Sequence, residues 1–439
     1  MHLKKQFFNY VIPSIGAMLV TGLYFVVDGI FVGRGVGTLG LAAINIAVPY
    51  ISILSAITMM ITMGGATLAS IHFGKKEPQK AITMFQSSLL LVFIFSALMT
   101  LISFFFSKNL ATLLGASNLL LTDTADYIKY FVMFGVFFSC SNTLSAFVRN
   151  DGNPRLAFWG MIVGALSNIF FDWLFIFPLQ MGIKGAAIAS GLGQIFACLM
   201  LLSHFFLKKG ALKLGFPTFS LHRLTQILKT GLPEFVTQMS QPVVILCYNF
   251  LILKTFGEIG VSAFSVISYI LVVVIGIFIG LAQGIQPLLS QSYGKGDAIS
   301  ENYFFTTGMK LNIFLAVIMY VIMLIFGKNI IAVFNHDPEL ITLAYDYIQV
   351  YGISFLFASI NIVYTIYYLA TKRTKQALLL SVLRSFVINT LCIFLIPALF
   401  GRKAIWAGII VAEAIVTLVA FYLRSQGSLK SSDIVFGEQ

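Results

Sequence analysis

Charge is what this sequence has least of. Asp, Glu, Lys and Arg make up 10% of its 439 residues, where a soluble domain carries roughly a quarter. Such a chain cannot cover a water-facing surface, so the bilayer must be its solvent. Cysteine is also scarce. Cys140, Cys198, Cys247 and Cys392 share no redox or metal spacing and read as small apolar residues inside spans. The five histidines are scattered, so no metal cluster is expected. No Walker A, HExxH or GxSxG pattern occurs, which leaves ATP hydrolysis and the common hydrolase chemistries without support. The chain is not expected to be an enzyme or to need a cofactor.

Apolar sequence is abundant: 59% of the residues are hydrophobic and the mean hydropathy is +0.94. A spanning helix needs about 20 apolar residues. The charge-poor runs place spans near 7–34, 41–72, 81–106, 124–148, 155–178, 184–207, 224–254, 260–292, 302–326, 341–371, 376–400 and 404–423. A transmembrane barrel would instead alternate in roughly ten-residue segments. The fold class is therefore all-α integral membrane. Lys4 and Lys5 before an apolar run imitate a signal peptide, but no small-residue cleavage site leads into a soluble domain, so the first helix is expected to be retained.

Eighteen Lys and Arg, including Lys4, Lys75, Arg149, Arg155, Lys208, Lys295 and Lys372, fall in one set of loops. Eight fall in the other: Arg34, Lys108, Lys129, Lys184, Lys254, Lys328, Arg402 and Lys403. The asymmetry places both termini in the cytoplasm, across a cytoplasmic membrane. The net charge of +12 is mostly this topology signal. Anionic lipid headgroups, not nucleic acid, are its expected partner.

The second half repeats the first at an offset of 220. Pro13 aligns with Pro233, Gly37 with Gly257, Gly64 with Gly284, Gly74-Lys75 with Gly294-Lys295, and Asp126-Tyr127-Ile128 with Asp346-Tyr347-Ile348. Chance similarity between apolar helices would not hold one register across loops. The expected organisation is a six-helix lobe (1–207), a cytoplasmic linker (208–222), and a second six-helix lobe with a short tail (223–439). An even number of spans per half gives both halves the same orientation, about an axis along the membrane normal. A central site between such lobes suits an alternating-access carrier.

Few acidic residues lie well inside a span: Asp28, Asp172, Glu413 and, marginally, Glu234. A carboxylate at the bilayer centre costs roughly 2.5–3.5 kcal/mol even on lenient scales. Gly160, Gly164, Asn168 and Asp172 recur every four residues along one ridge of a helix, with the glycines allowing a neighbour close. Asp28 has Tyr24 one turn before it, and Pro13 should bend the same helix as a hinge. Ser190 follows the small-residue run Gly185-Ala186-Ala187. Two carboxylates, an amide and a hydroxyl in one lobe can hold a proton or a hard cation such as Na⁺. The plainer reading makes them hydrogen-bonded packing glue, and Glu413 a helix-end residue or a partner of Arg384. In the repeat, Asp28 corresponds to Tyr248 and Asp172 to Cys392. An acid needed only to build the fold would be kept in both copies. Most of the 43 Phe and 15 Met read as lipid-facing or packing residues, with a minority lining an adaptable cavity.

At these residues the chain resembles the MATE family of multidrug and toxic compound extrusion proteins, in wording its bacterial MepA/DinF-like branch. The resemblance is carried by Pro13, by Asp28-Gly-Ile-Phe-Val-Gly33 and by Ser167-Asn-Ile-Phe-Phe-Asp172. The run Gly185-Ala-Ala-Ile-Ala-Ser190 and the loop Phe147-Val-Arg-Asn-Asp-Gly-Asn-Pro154 match as well. It covers the whole chain. It implies a MATE/MOP-type fold and antiport of bulky, often cationic drug-like compounds against H⁺ or Na⁺, contributing to xenobiotic export and antibiotic resistance. It implies a cation or proton site at Asp28, Asn168, Asp172 and Ser190, with Tyr24 and Asn142 in the supporting network, and a protein working as a monomer. Substrate-contacting residues are not legible. The loop reads Arg-Asn-Asp-Gly where many members have Arg-Gly-x-Gly, and the second lobe lacks the mid-span acids of the NorM-type branch. The alternative within the same superfamily is a flippase for a lipid-linked precursor. Such a protein needs a strongly cationic cavity, and Arg384 is the only basic residue deep in a predicted span.

Overall fold

A computed structural model describes residues 2–218, 220–334, 336–401 and 404–436. Arg402 and Lys403, two of the cations assigned to the outer loops, lie outside the described residues. Among those described, every regular element is a helix. The first half contains α1 (His2–Gly35), α2 (Thr38–Gly74), α3 (Pro78–Leu113), α4 (Leu121–Met133), α5 (Gly135–Asn150), α6 (Pro154–Ile176) and α7 (Gly182–Phe206). The second contains α8 (Leu221–Lys295), α9 (Ala298–Phe334), α10 (Pro338–Tyr351), α11 (Ser354–Ala370), α12 (Thr374–Val382), a π-helical turn (Leu383–Val387), α13 (Ile388–Phe400) and α14 (Ile405–Phe436).

Among the described residues nine helices are long and apolar enough to cross a bilayer. The pairs α4/α5 and α10/α11, bent by 48° and 50°, raise the number to eleven. At 75 residues α8 is too long for one span, and Gly257 interrupts it with φ 68°. Only glycine adopts that conformation without strain. Counted as two spans, α8 brings the total into agreement with twelve. The duplication is visible in the backbone itself. Gly37 carries φ 89° at the register of Gly257, and Lys76 and Gly152 take positive φ where Gly296 and Lys372 do in the second half. The two bent pairs also coincide at the offset of 220, so the break is a property of the repeat.

Apolar side chains point outward. Leu98, Leu101 and Phe105 of α3 are 53%, 56% and 70% exposed, a surface that water would penalise and that lipid accepts. Helix starts carry local signals: Asn153 accepts a hydrogen bond from Leu156 N at 3.2 Å, with Pro154 in the first turn of α6. Asp337 likewise caps α10, accepting from Glu339 N at 2.9 Å.

The chain forms two compact units, one of Met1–Met239 with Ile279–Phe304, the other of Ser240–Phe278 with Phe305–Gln439. In the first unit the ends of α8 lie backbone against backbone on α2. A methyl group added to Gly74 would collide with Gln291 O, one on Gly294 with Ile71 O, and one on Gly64 with Ile227 O. Side chains tie α8 to α2 and to the end of α5: Gln286 Nε2 donates to Thr67 Oγ1 at 3.0 Å, and Gln291 Nε2 to Asn150 O at 3.3 Å.

The segment after α7 is strapped to this unit. Asp151 accepts from Ala211 N at 2.9 Å and Leu212 N at 3.1 Å, and its Oδ2 lies 2.9 Å from His204 Nε2. Gln86 Nε2 donates to Lys213 O at 3.1 Å. These contacts give Asp151, part of the unusual Arg-Asn-Asp-Gly loop, a structural task. The side chains of His204 and Asp151 are 0% and 4% exposed, and removing a buried acceptor strands its donors at about 1–3 kcal/mol. Asp151→Ala should therefore unfold at a clearly lower temperature in detergent than the parent, whereas Lys80→Ala, whose 2.8 Å bridge to Glu77 is exposed, should not differ.

Candidate cation and proton site

The site is built on α1, α6 and α7. The buried residues of α6 are Pro154, Ala157, Gly160, Gly164, Asn168, Asp172 and Ile176, the ridge anticipated from spacing. Trp159, Leu166, Phe170 and Trp173, on its other sides, are half exposed. Gly164 and Gly193 make the contact with α7. A methyl on Gly164 would lie 3.1 Å from Ala197 Cβ, and one on Gly193 2.7 Å from Gly164 O. This closeness brings Asn168 to Ser190, with Asn168 Nδ2 donating to Ser190 Oγ at 3.3 Å.

Asp172 is 0% exposed and Asn168 2%. The carboxyl groups of Asp28 and Asp172 face each other within hydrogen-bonding reach. Asn168 lies beside the Asp172 carboxyl, but no well-formed hydrogen bond reaches either oxygen of Asp172, Oδ1 of Asp28 or Oδ1 of Asn168. Four such buried acceptors would cost roughly 1–3 kcal/mol each if nothing met them. A proton shared between the carboxyls, or a hard cation among the oxygens, satisfies them. Hard oxygen ligands without sulfur or imidazole fit H⁺ or Na⁺ and argue against a transition metal. Among the described residues no group of three His, Cys, Asp or Glu could hold a metal ion by itself.

Tyr24 lies beside Ser190 and in the field of both carboxylates, as its spacing from Asp28 suggested. Tyr127 of α4 also lies within the influence of Asp28, Tyr24 and Asp172. It is buried against Ala43, Val132 and Ala187. Sequence reading used Tyr127 only as a marker of the repeat; its place next to acids on two other helices has no local signal. Asn142 stands elsewhere. Its Nδ2 donates to Phe138 O at 2.8 Å, and it lines a cavity with Pro13 and Arg149 instead of meeting the carboxylates. Pro13 lies inside α1.

In the second unit the corresponding place is filled by rings. Tyr248, at the repeat position of Asp28, stacks on Trp406 with centroids 5.8 Å apart. Trp406 packs against Tyr347 at 4.4 Å and Phe264 at 5.7 Å. Glu413 is held by other partners. Arg384 Nε donates to its two oxygens at 2.8 and 3.1 Å, and Asn361 Nδ2 donates to Oε2 at 2.6 Å. Thr417 Oγ1 closes the network on Asn361 Oδ1 at 3.0 Å. The pairing with Arg384 was one of two readings open in the sequence. Arg384 sits on the π-helical turn, a distortion common where a helix is shaped around a polar group.

The MatE family model matches residues 13–174 and again 233–395, in the register of the repeat. The chain is 24% identical to the multidrug export protein MepA of Staphylococcus saprophyticus over 99% of its length and 97% of that protein. It is 24% identical to the MepA of Staphylococcus haemolyticus over 95% of its length and 92% of that protein. Its fold is similar to the outward-facing conformation of a multidrug resistance MATE family transporter, with TM-score 0.92 at 20% identity, covering 98% of this chain and 97% of that one. It is also similar to a MOP superfamily transporter from Pyrococcus furiosus, with TM-score 0.90 at 20% identity and coverage of 97% and 96%. With both halves matched over most of their length, the chain belongs to the MATE family of membrane transporters.

Proposed function

We propose that this protein is a secondary multidrug exporter that expels bulky, often cationic amphipathic compounds by antiport with H⁺ or Na⁺, coupled at Asp28, Asn168, Asp172 and Ser190. The observation that carries the reading is the set of four buried acceptor oxygens, from α1 and α6, that no well-formed hydrogen bond reaches. A positively charged ligand or a proton meets such a set, and either one can be taken from one side of a membrane and released on the other. The aromatic filling at the equivalent place in the second unit supports a single coupling site in the first. Family membership and the multidrug export named for its relatives support the substrate class. Pro13 within α1 offers the hinge that would re-expose Asp28. The protein is taken to act as a monomer in the cytoplasmic membrane with both termini inside. A flippase is not favoured, since the relatives are named for multidrug export and the charge of Arg384 is held by Glu413.

The test is ethidium efflux from proteoliposomes under proton and sodium gradients imposed separately. Efflux should respond to at least one of them, and response to neither would sink the antiporter reading. If protons compete with drug through the two coupled carboxylates, ethidium binding in detergent should weaken as pH falls. The Asp28→Asn/Asp172→Asn variant should bind with a flat profile. A flat profile in the parent would remove proton competition and leave Na⁺ as the coupling ion.

A further inference from the structure

We propose that Arg149 is a cation barrier, which keeps the coupling ion from slipping between the cytoplasm and the Asp28–Asp172 pair when no substrate is carried. The proposal rests on the reading of that pair as the coupling site. Arg149, near the end of α5, is 8% exposed. Its hydrogen bond is to a neutral group, Nη1 donating to Gln283 Oε1 at 3.0 Å, and among the described residues no carboxylate lies within ion-pair distance. A buried guanidinium without a counter-charge is costly, and packing alone would be served better by an apolar side chain.

Its surroundings show what the charge would act on. Arg149 lines a cavity of about 40 Å³ with Pro13, Ser14, Asn142, Ser145 and Gln283. Met18, Met59, Met63 and Phe158 complete a mostly apolar wall, in which Ser14 Oγ is buried without a partner. One water needs roughly 10–15 Å³ by this measure, so the cavity has room for a few. Two helices run from it to the carboxylates. Asp28 lies fifteen residues beyond Pro13 on α1, about 22 Å at 1.5 Å per residue, and Asp172 lies eleven beyond Met161 on α6, about 16 Å. On this proposal the hydratable pocket, at the end of the unit assigned to the cytoplasm, is where an ion would enter on its way along these helices to the carboxylates. A fixed positive charge on such a route repels H⁺ and Na⁺ alike, the principle by which pores exclude cations with a single arginine. It leaves the site accessible from the other side.

The experiment measures passive leak in proteoliposomes without drug, by an internal pH dye under a valinomycin–K⁺ potential and by ²²Na⁺ uptake. The parent should be tight. Arg149→Gln should raise the leak of the coupling ion by about tenfold or more, while Arg149→Lys, which keeps the charge, should stay near the parent. Gln283→Glu places a carboxylate against the intact guanidinium and should leak as well; it keeps the test available if Arg149→Gln does not fold. Adding Asp172→Asn to Arg149→Gln should restore tightness, because the leak runs through the carboxylate pair. The barrier is overturned if neither Arg149→Gln nor Gln283→Glu leaks, if Arg149→Lys leaks as much as Arg149→Gln, or if the double variant stays leaky. Failure of the coupling-site reading would look different: Asp172→Asn alone would then export normally.

Discussion

Asp172→Asn is expected to give a folded protein that has lost gradient-driven export. The substitution is nearly isosteric and removes a charge from a fully buried position, so insertion and folding should not suffer. What disappears is the exchangeable proton or the anionic ligand. A driving ion can bias a transporter only by binding its two access states with different free energies. Coupling energies of about 1–3 kcal/mol correspond to roughly 5–150-fold in affinity, and export should fall by a factor in that range or to background. Asp28→Asn should do the same, since the two carboxyls face each other. Tyr127→Phe should have a smaller effect, lowering the rate without abolishing the response to the gradient. The measurements are ethidium accumulation in cells and gradient-driven efflux in proteoliposomes, at matched expression. Parental efflux in Asp172→Asn would remove the site from the mechanism.

Glu413→Ala is expected to be the most destabilising single change in the second unit. Glu413 is 5% exposed and receives hydrogen bonds from Arg384 and Asn361. Its removal leaves the guanidinium unpaired inside the membrane, a loss of about 3–5 kcal/mol by analogy with buried pairs elsewhere. Arg384→Met should be nearly as damaging, because it strands the carboxylate. The double variant Arg384→Met/Glu413→Leu should recover most of the stability, since no buried charge is left uncompensated. Unfolding temperatures of the parent, Arg384→Met, Glu413→Leu and the double variant in one detergent give the cycle directly. Glu413→Gln keeps the shape of the network and should retain most of its gradient-driven efflux per folded molecule. A double variant that folds well yet exports nothing would show that the pair takes part in transport, and the lobe assignment would have to be reopened around Glu413 and Arg384.

The membrane class, the number of spans and the duplication were determined by the sequence alone, because each rests on a property that neighbours along the chain carry together. Lipid demands about 20 apolar residues per helix wherever the helix sits, and a duplicated gene keeps its register whatever it folds against. The ridge Gly160, Gly164, Asn168, Asp172 was legible for the same reason: four-residue spacing places side chains on one face before any partner is known. The partners themselves were decided only by the tertiary structure. Glu413 could have been a helix-end residue until α13 and the π-helical turn brought Arg384 to it. Asn142 shares a lobe with the carboxylates, yet α5 carries it to the cavity beside Pro13. Tyr127 joins the acids because α4 packs against α7, the helix that carries Ser190, and Trp406 fills the equivalent place in the second unit, where the sequence shows only that carboxylates are missing. Periodicity within a helix survives as sequence; proximity between helices depends on how glycines such as Gly164 and Gly193 let backbones approach, and that exists only once the bundle is packed.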